Sequence, residues 1–331
     1  MKNLRYLLSF MPGILAIIGN LLGGYFSLMG IVYSMFILVI LDRLFKPNTE
    51  SPSGKEGDWT ADGILFFSFV IHSLAIVTLL YAVNNKTLNG YFIWTAVFST
   101  ALNSGISGII SAHEMIHRKQ AAWRMLGIWN LLLVNYGHFY IEHIKGHHKW
   151  VGTEKDPATA KRGESIYAFL IRTIPGQFKS ALNIEATRLQ KLNKFVFSLG
   201  NFVVRIVLLQ LLVCIALYLW LGGLVLLAYL VQSWIAVFLL EYVNYIEHYG
   251  LTRNDNEKYN ATHAWQSDIA ISRFSLIELS RHSDHHLRAS KPYQTLASLP
   301  ESPVLPSGYF GVFYLVMIPP LWYKHVHPLL K

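Results

Sequence analysis

The sequence predicts an all-α, integral-membrane protein: a six-helix transmembrane bundle carrying a cytoplasmic, histidine-rich cap. Three observations lead there. Hydrophobic residues make up 53% of the 331 residues and charged residues only 14%, against about 25% charged in a typical soluble domain. Two long stretches, residues 6–41 and 206–240, contain no Asp, Glu, Lys or Arg. Nine of the 14 histidines fall in tight groups.

A bilayer core of about 30 Å takes roughly 20 apolar residues of helix, so each long stretch is read as two antiparallel spans. Gly23-Gly24 breaks the first and Gly222-Gly223 the second. The six spans are placed at about 6–22, 24–41, 63–85, 87–112, 201–221 and 223–248, within one membrane-embedded domain covering 1–331. Lys2 and Arg5 resemble the start of a signal peptide. No small-x-small cleavage site follows and a second span comes at once, so the first helix is read as retained. Residues 125–141 are also uncharged but too short and too rich in Asn and His. They are expected to form a helix lying on, or dipping into, the interface.

Charge orients the bundle. The formal charge is +9, and of the 28 lysines and arginines all but Lys86 and Arg205 lie on one side. That bias places both termini and the cap (113–200 and 249–331) in the cytoplasm of a bacterial inner membrane. It also accounts for the basic balance without a nucleic-acid partner. The single cysteine, Cys214, excludes a disulfide within the chain and an iron–sulfur centre of its own.

The grouped histidines all lie on the cap side. His113 and His117 stand at i, i+4 in SAHEMIHRK, on one helical face. His143, His147 and His148 occur in EHIKGHHKW, where i and i+4 are expected to share a face and i+5 to turn toward a neighbour. His248 ends span six, and His282, His285 and His286 follow in SRHSDHH. So many clustered imidazoles repel one another when protonated, whereas neutral imidazole is a good ligand for iron, copper, zinc and nickel. Nine exceed the capacity of one ion and fit two. HEMIH also matches the HExxH pattern of zinc peptidases, with Glu114 as base. That reading leaves six clustered histidines unexplained. A nonenzymatic metal-binding or transport protein is the remaining alternative from another class.

Carboxylates near the boxes are candidates to orient the imidazoles or balance the metal charge: Glu114, Glu142, Asp156, Glu241, Glu247, Glu257, Asp268 and Asp284. Among the other histidines, His72 in span three is read as a hydrogen-bonded packing residue. His138 is expected to touch a ligand or the cavity, His263 to lie near the site, and His325 and His327 to belong to an interfacial tail. Tyr25, Tyr33 and Phe36 of span two are candidates to cap a substrate cavity.

HEMIH, EHIKGHH and RHSDHH resemble the three histidine boxes of the membrane fatty-acid desaturase and hydroxylase superfamily. NYIEHYGL, RHSDHH and LPSGY together are more narrowly similar to the integral-membrane alkane 1-monooxygenases, and LDRLF, GTEKDPATA and PPLW extend the likeness over most of the chain. The resemblance implies a non-haem centre of two iron ions held by the nine histidines. It implies insertion of one oxygen atom from O2 into the terminal methyl of a medium- or long-chain alkane in the membrane lipid. Electrons would come from a rubredoxin, separate because this chain has one cysteine, served by its reductase. Arg118, Lys145, Lys149, Arg281, Arg288 and Lys291 are expected to form its basic docking patch. A fatty-acyl desaturase or hydroxylase and a xylene-type methyl monooxygenase are the alternatives within the resemblance.

Overall fold

The computed structural model describes residues 2–50 and 54–330, and among these it is helical with no strand; two isolated bridges, Pro47 to Ile269 and Gln266 to Val304, are its only β-pairings. Among the described residues, six helices are long and apolar enough to cross a membrane: Asn3–Leu22, Gly24–Leu44, Trp59–Asn84, Tyr91–His117, Phe202–Leu221 and Gly223–His248. This is a multi-pass membrane protein. The helices overrun the predicted spans on the cap side by up to five residues, because span four carries both of its histidines as helix.

Local chemistry sets the ends. Asp58 caps span three by accepting from Thr60 N at 2.9 Å, and Asn201 caps span five by accepting from Val203 N at 2.9 Å. Between spans five and six the chain reverses at Gly222, whose φ of 86° suits a residue without Cβ.

Span four is the axis of the bundle. In its most apolar stretch 83% of residues are buried, against 17% in span five, so span five faces the surroundings while span four is enclosed by its neighbours. Small residues allow the enclosure: a Cβ on Gly108 would come within 2.6 Å of the His72 ring. His72 Nε2 lies 3.1 Å from Ser104 Oγ, which reaches Gln232 Oε1 at 3.0 Å. The expected packing role of His72 matches this geometry, which ties spans three, four and six at mid-membrane depth. There an unpaired polar group is costly.

The uncharged segment after span four is not one interfacial helix. It is a hairpin that dips into the bundle. Ala121–Leu132 runs back along span four, where Asn130 Nδ2 donates to Gly108 O at 3.2 Å. The tip turns at Asn135, with φ 54°, whose Nδ2 donates to Ser233 Oγ in the middle of span six at 3.1 Å. Gln232 Nε2 satisfies Leu133 O at 3.1 Å. Irregular backbone at this depth is tolerated only where protein buries and pairs it. Asn130 and Asn135, which argue against a seventh span, are the residues that make the dip possible.

The cap consists of the returning arm of the hairpin (residues 139–150), the long helix Ile166–Lys191, and the segment after span six. Its floor holds a buried ion network. Arg273 donates to Glu278 Oε2 at 2.7 Å, and Arg281 reaches Asp268 at 3.3 Å and Glu278 at 3.6 Å. Ile277 and Glu278 take left-handed φ of 42° and 61°, a strained pair that the salt bridges hold in place. The helix His282–Leu287 starts directly above. The main core, which includes Tyr6, Leu38, Tyr245, Trp265, Tyr309 and Trp322, lies between the spans and this cap.

Candidate metal centre

The nine grouped histidines converge into two adjoining clusters: His113, His117, His143, His148 and His285 in the first, and His147, His248, His282 and His286 in the second. Within each, every donor atom lies within 4.8 Å of every other. His113 and His117 share a helical face and a cluster, as their spacing predicts. The second box departs from expectation. Residues 143–147 form a wide turn closed by i→i+5 hydrogen bonds, a form often found at functional sites. In an α-helix residue i+5 stands about 140° round from i. Here the widened turn lets His143 and His148 meet in the first cluster while His147 turns to the second. The third box splits too: His282 and His286, one turn apart, join the second cluster and His285 the first. Two boxes therefore serve both clusters, and the rings of His148 and His286 pack 4.4 Å apart across the boundary.

The spacing of the nitrogens fits metal ions. Nε2 of His117, His143 and His148 form a triangle of 3.0, 3.2 and 3.0 Å, and His285 Nε2 lies 3.3 Å from that of His148. In the second cluster His282 Nε2 is 3.1 Å from His248 Nε2 and 2.8 Å from His286 Nε2. Each ring nitrogen offers one proton or one lone pair, so a triangle cannot be hydrogen bonded along all three sides. A cation at about 2.1 Å from each nitrogen sets neighbouring donors about 3.0 Å apart at right angles and satisfies them all. His113 Nε2 and His147 Nε2 are likewise buried without a hydrogen-bond partner. Burial first, and neighbouring imidazoles second, hold His143, His148, His282, His285 and His286 well below the usual histidine range. The neutral ring is the ligating form.

Of the eight candidate carboxylates, two touch these rings. Asp156 Oδ2 accepts from His147 Nδ1 at 2.9 Å and from Thr159 Oγ1 at 2.7 Å, so it fixes the ring with Nε2 turned inward. Glu247 Oε2 lies 3.2 Å from His282 Nε2, while its Oε1 accepts from Tyr309 OH at 2.9 Å. The others have different work. Glu114 pairs with Arg118 at 2.8 Å, which is no arrangement for a peptidase base at an open zinc. Glu241 joins the hairpin and the long cap helix to span six, accepting from Tyr136 OH at 3.0 Å and Gln177 Nε2 at 2.7 Å. Glu142 is fully buried with neither oxygen paired, and burial pushes its carboxyl well above the usual range, with Asp156 adding to the shift. Glu257 faces out, lies 3.3 Å from His263 Nε2 and accepts from Asn254 N at 3.2 Å. Asp268 serves Arg281 and Ser298, and Asp284 serves Lys291 and Ala297 N.

The remaining histidines stand apart. His138 packs between Tyr136 and Phe178 without touching a cluster histidine, and burial lowers it to about 4. His263 caps its own turn by accepting from Asn260 N at 3.0 Å. His325 is exposed, whereas His327 docks on Tyr249 OH at 2.9 Å rather than trailing at an interface.

An apolar pocket lies near the clusters, with Leu102, Ile106, Ile110, Val243, Leu276 and Tyr309 in its wall. Ile110 lies one helical turn before His113, and Tyr309 is bonded to Glu247. Span two contributes Ser34, Met35 and Val39 to the wall; Tyr25 and Phe36, expected as caps, are 75% and 55% exposed and face outward. The wide turn over Val32–Ile37 changes the face that span two presents. Two contributors escaped the reading of composition and spacing. Tyr309 lies in the LPSGY motif that carried part of the resemblance, so the signal was present. Tyr259, whose ring packs 5.2 Å from that of His286, sits in a polar loop with no pattern to single it out.

Of the expected basic patch, Lys145, Lys149 and Arg288 are exposed. Arg281 is buried in the cap floor, Arg118 is held by Glu114 and Asp62, and Lys291 by Asp284. Internal carboxylates claim them. The exposed charge lies instead along a groove beside the second cluster, where Lys155, Lys161, Arg162 and Lys179 join Lys145 and Lys149.

The sequence pattern of the fatty acid desaturase family matches residues 88–315. Alkane 1-monooxygenase 1 of Alcanivorax borkumensis is 36% identical over 79% of this chain and 65% of its own length. Alkane 1-monooxygenase 1 of Pseudomonas aeruginosa is 39% identical over 71% of this chain and 62% of its own. The match thus spans less than two thirds of both relatives. The alkane 1-monooxygenase of Ectopseudomonas oleovorans is 34% identical over 90% of this chain and 78% of its own length.

Proposed function

This chain belongs to the fatty acid desaturase family, in the branch of the alkane 1-monooxygenases, and from that premise we propose that it hydroxylates the terminal methyl of medium- or long-chain alkanes. The reaction takes the alkane, O2, two electrons and two protons to a 1-alkanol and water. The observation that carries the reading is the pair of histidine clusters with an apolar pocket nearby, walled by Ile110, one helical turn before His113, and by Tyr309, which is bonded to Glu247.

His113, His117, His143, His148 and His285 would hold one iron and His147, His248, His282 and His286 the other; the pair would supply reductive activation of O2, a task side chains alone cannot perform. The chain's own residues bind, orient and exclude. Nine imidazoles fix the donors, and Asp156 locks the His147 tautomer. Leu102, Ile106, Ile110 and Val243 present hydrocarbon to hydrocarbon, so a bound alkane gains by burial, at about 0.8 kcal/mol per CH2, and lies along the cavity with one end toward the clusters. The same wall excludes water. The basic excess on the cap side supports a cytoplasmic setting for that side in a bacterial inner membrane, where electrons would arrive from a rubredoxin served by its reductase. Cys214 alone cannot hold an iron–sulfur centre.

Iron-loaded protein in lipid nanodiscs, given rubredoxin, its reductase and n-alkanes under 18O2, should yield 1-alkanols carrying one labelled oxygen. An alkene from an acyl substrate would assign the chain to desaturation. A benzylic alcohol from xylene with no alkane product would assign it to aryl-methyl oxidation. Peptide cleavage or no product at full iron loading would remove the proposal.

A further inference from the structure

One carboxylate beside the second cluster stands where a donor would. Glu247 is 1% exposed, at the end of span six directly before His248. Its Oε2 lies 3.2 Å from His282 Nε2, a nitrogen shared with the rest of the cluster. That nitrogen stands 3.1 Å from His248 Nε2 and 2.8 Å from His286 Nε2, so in a metal-loaded cluster its lone pair would turn inward. An oxygen at 3.2 Å from it repeats the spacing between neighbouring donors on one cation.

Charge leads to the same place. A buried carboxylate is costly without a compensating cation, and among the described residues no lysine or arginine pairs with Glu247. Its one protein donor is Tyr309 OH, on the other oxygen. Asp156, by contrast, reaches only the outward Nδ1 of its histidine. We propose that Glu247 Oε2 is a protein donor to the metal of the second cluster, completing a set of four imidazoles and one carboxylate opposite five imidazoles in the first. Tyr309, a wall residue of the apolar cavity, holds the other oxygen and so sets the angle of the carboxylate.

The inference rests on the two-iron reading above, and the experiment separates the two. Full-length protein loaded with 57Fe is studied by Mössbauer spectroscopy in the ferrous state, alongside chelator competition. Glu247→Gln exchanges an anionic oxygen for a neutral amide at constant shape. It should shift the doublet of one iron, leave the other unchanged, and weaken one of the two sites at least 10-fold, in the range that carboxylate partners of metal sites command. Tyr309→Phe should keep two irons and perturb the same doublet less. It gives the answer also if the glutamine variant cannot be recovered. Two irons with both doublets and both affinities unchanged in Glu247→Gln, or an unmoved doublet in Tyr309→Phe, would overturn the assignment. Fewer than two irons in the unaltered protein overturns the underlying reading, and this inference with it.

Discussion

The two clusters sit side by side yet are built differently. The first gathers five imidazoles, and no carboxylate touches its rings among the described residues; Glu114, on the same helix as His113 and His117, is turned away to Arg118. The second gathers four, with Asp156 behind His147 and Glu247 beside His282. The first draws two of its five from rigid span four. The second draws His248 from span six and the rest from the wide turn and the short 282–287 helix. A set of neutral donors leaves the cation's charge intact, while carboxylate contacts offset it. The two irons should therefore differ in affinity, in electronic environment and in tolerance to change.

The sharpest break removes one ligand from each side. His117→Ala and His248→Ala should each lower product formation at least 100-fold, because each deletes a donor from one of the two proposed iron sites. Iron analysis should fall from two toward one per chain, with the surviving Mössbauer doublet differing between the variants. If the same doublet survives in both, the clusters are not separate sites.

Next in size is Asp156→Asn, which keeps an acceptor for His147 Nδ1–H but removes the charge. Iron affinity at the second cluster should fall 10- to 100-fold with the first unchanged, read by release of one iron equivalent to a chelator. Equal release from both sites would erase the asymmetry.

A structural control follows. Glu278→Gln breaks the buried network under the 282–287 helix and leaves Arg273 and Arg281 short of compensation, a loss of about 3–5 kcal/mol. The thermal midpoint in detergent should drop clearly, and both iron sites should loosen together because His282, His285 and His286 ride on that helix. A selective effect on one doublet would assign Glu278 to a single cluster.

The smallest effect belongs to the surface. Lys149→Glu in the basic groove should raise the apparent KM for rubredoxin several-fold at low salt, with iron content unchanged and the difference fading as salt screens it. His325→Ala, exposed and remote, should stay within about 0.5 kcal/mol in stability and leave turnover unaltered. Salt-independent kinetics in Lys149→Glu would move the docking surface elsewhere.

Much of this was legible in the residues. Uncharged length and Gly pairs fix the spans, because a bilayer penalises charge and a helix has one rise per residue. The i, i+4 rule places His113 and His117 correctly. The same rule fails at His143, His147 and His148, where the wide turn depends on tertiary packing and leaves no periodic trace. The dip of residues 121–138 was only half legible. Asn130 and Asn135 signal unease in lipid, but their partners, Gly108 and Ser233, are remote in sequence. Charge on a surface was least legible. Arg118, Arg281 and Lys291 look like exposed anchors until the fold brings Glu114, Asp268 and Asp284 to them.

Mössbauer spectroscopy of the unaltered 57Fe-loaded protein tests the central claim most directly, that two unlike clusters each hold one iron. The account predicts two irons per chain and, in the ferrous state, two non-haem doublets of equal area with different quadrupole splittings. A single iron, or a fully active preparation containing one zinc and no iron, would contradict it.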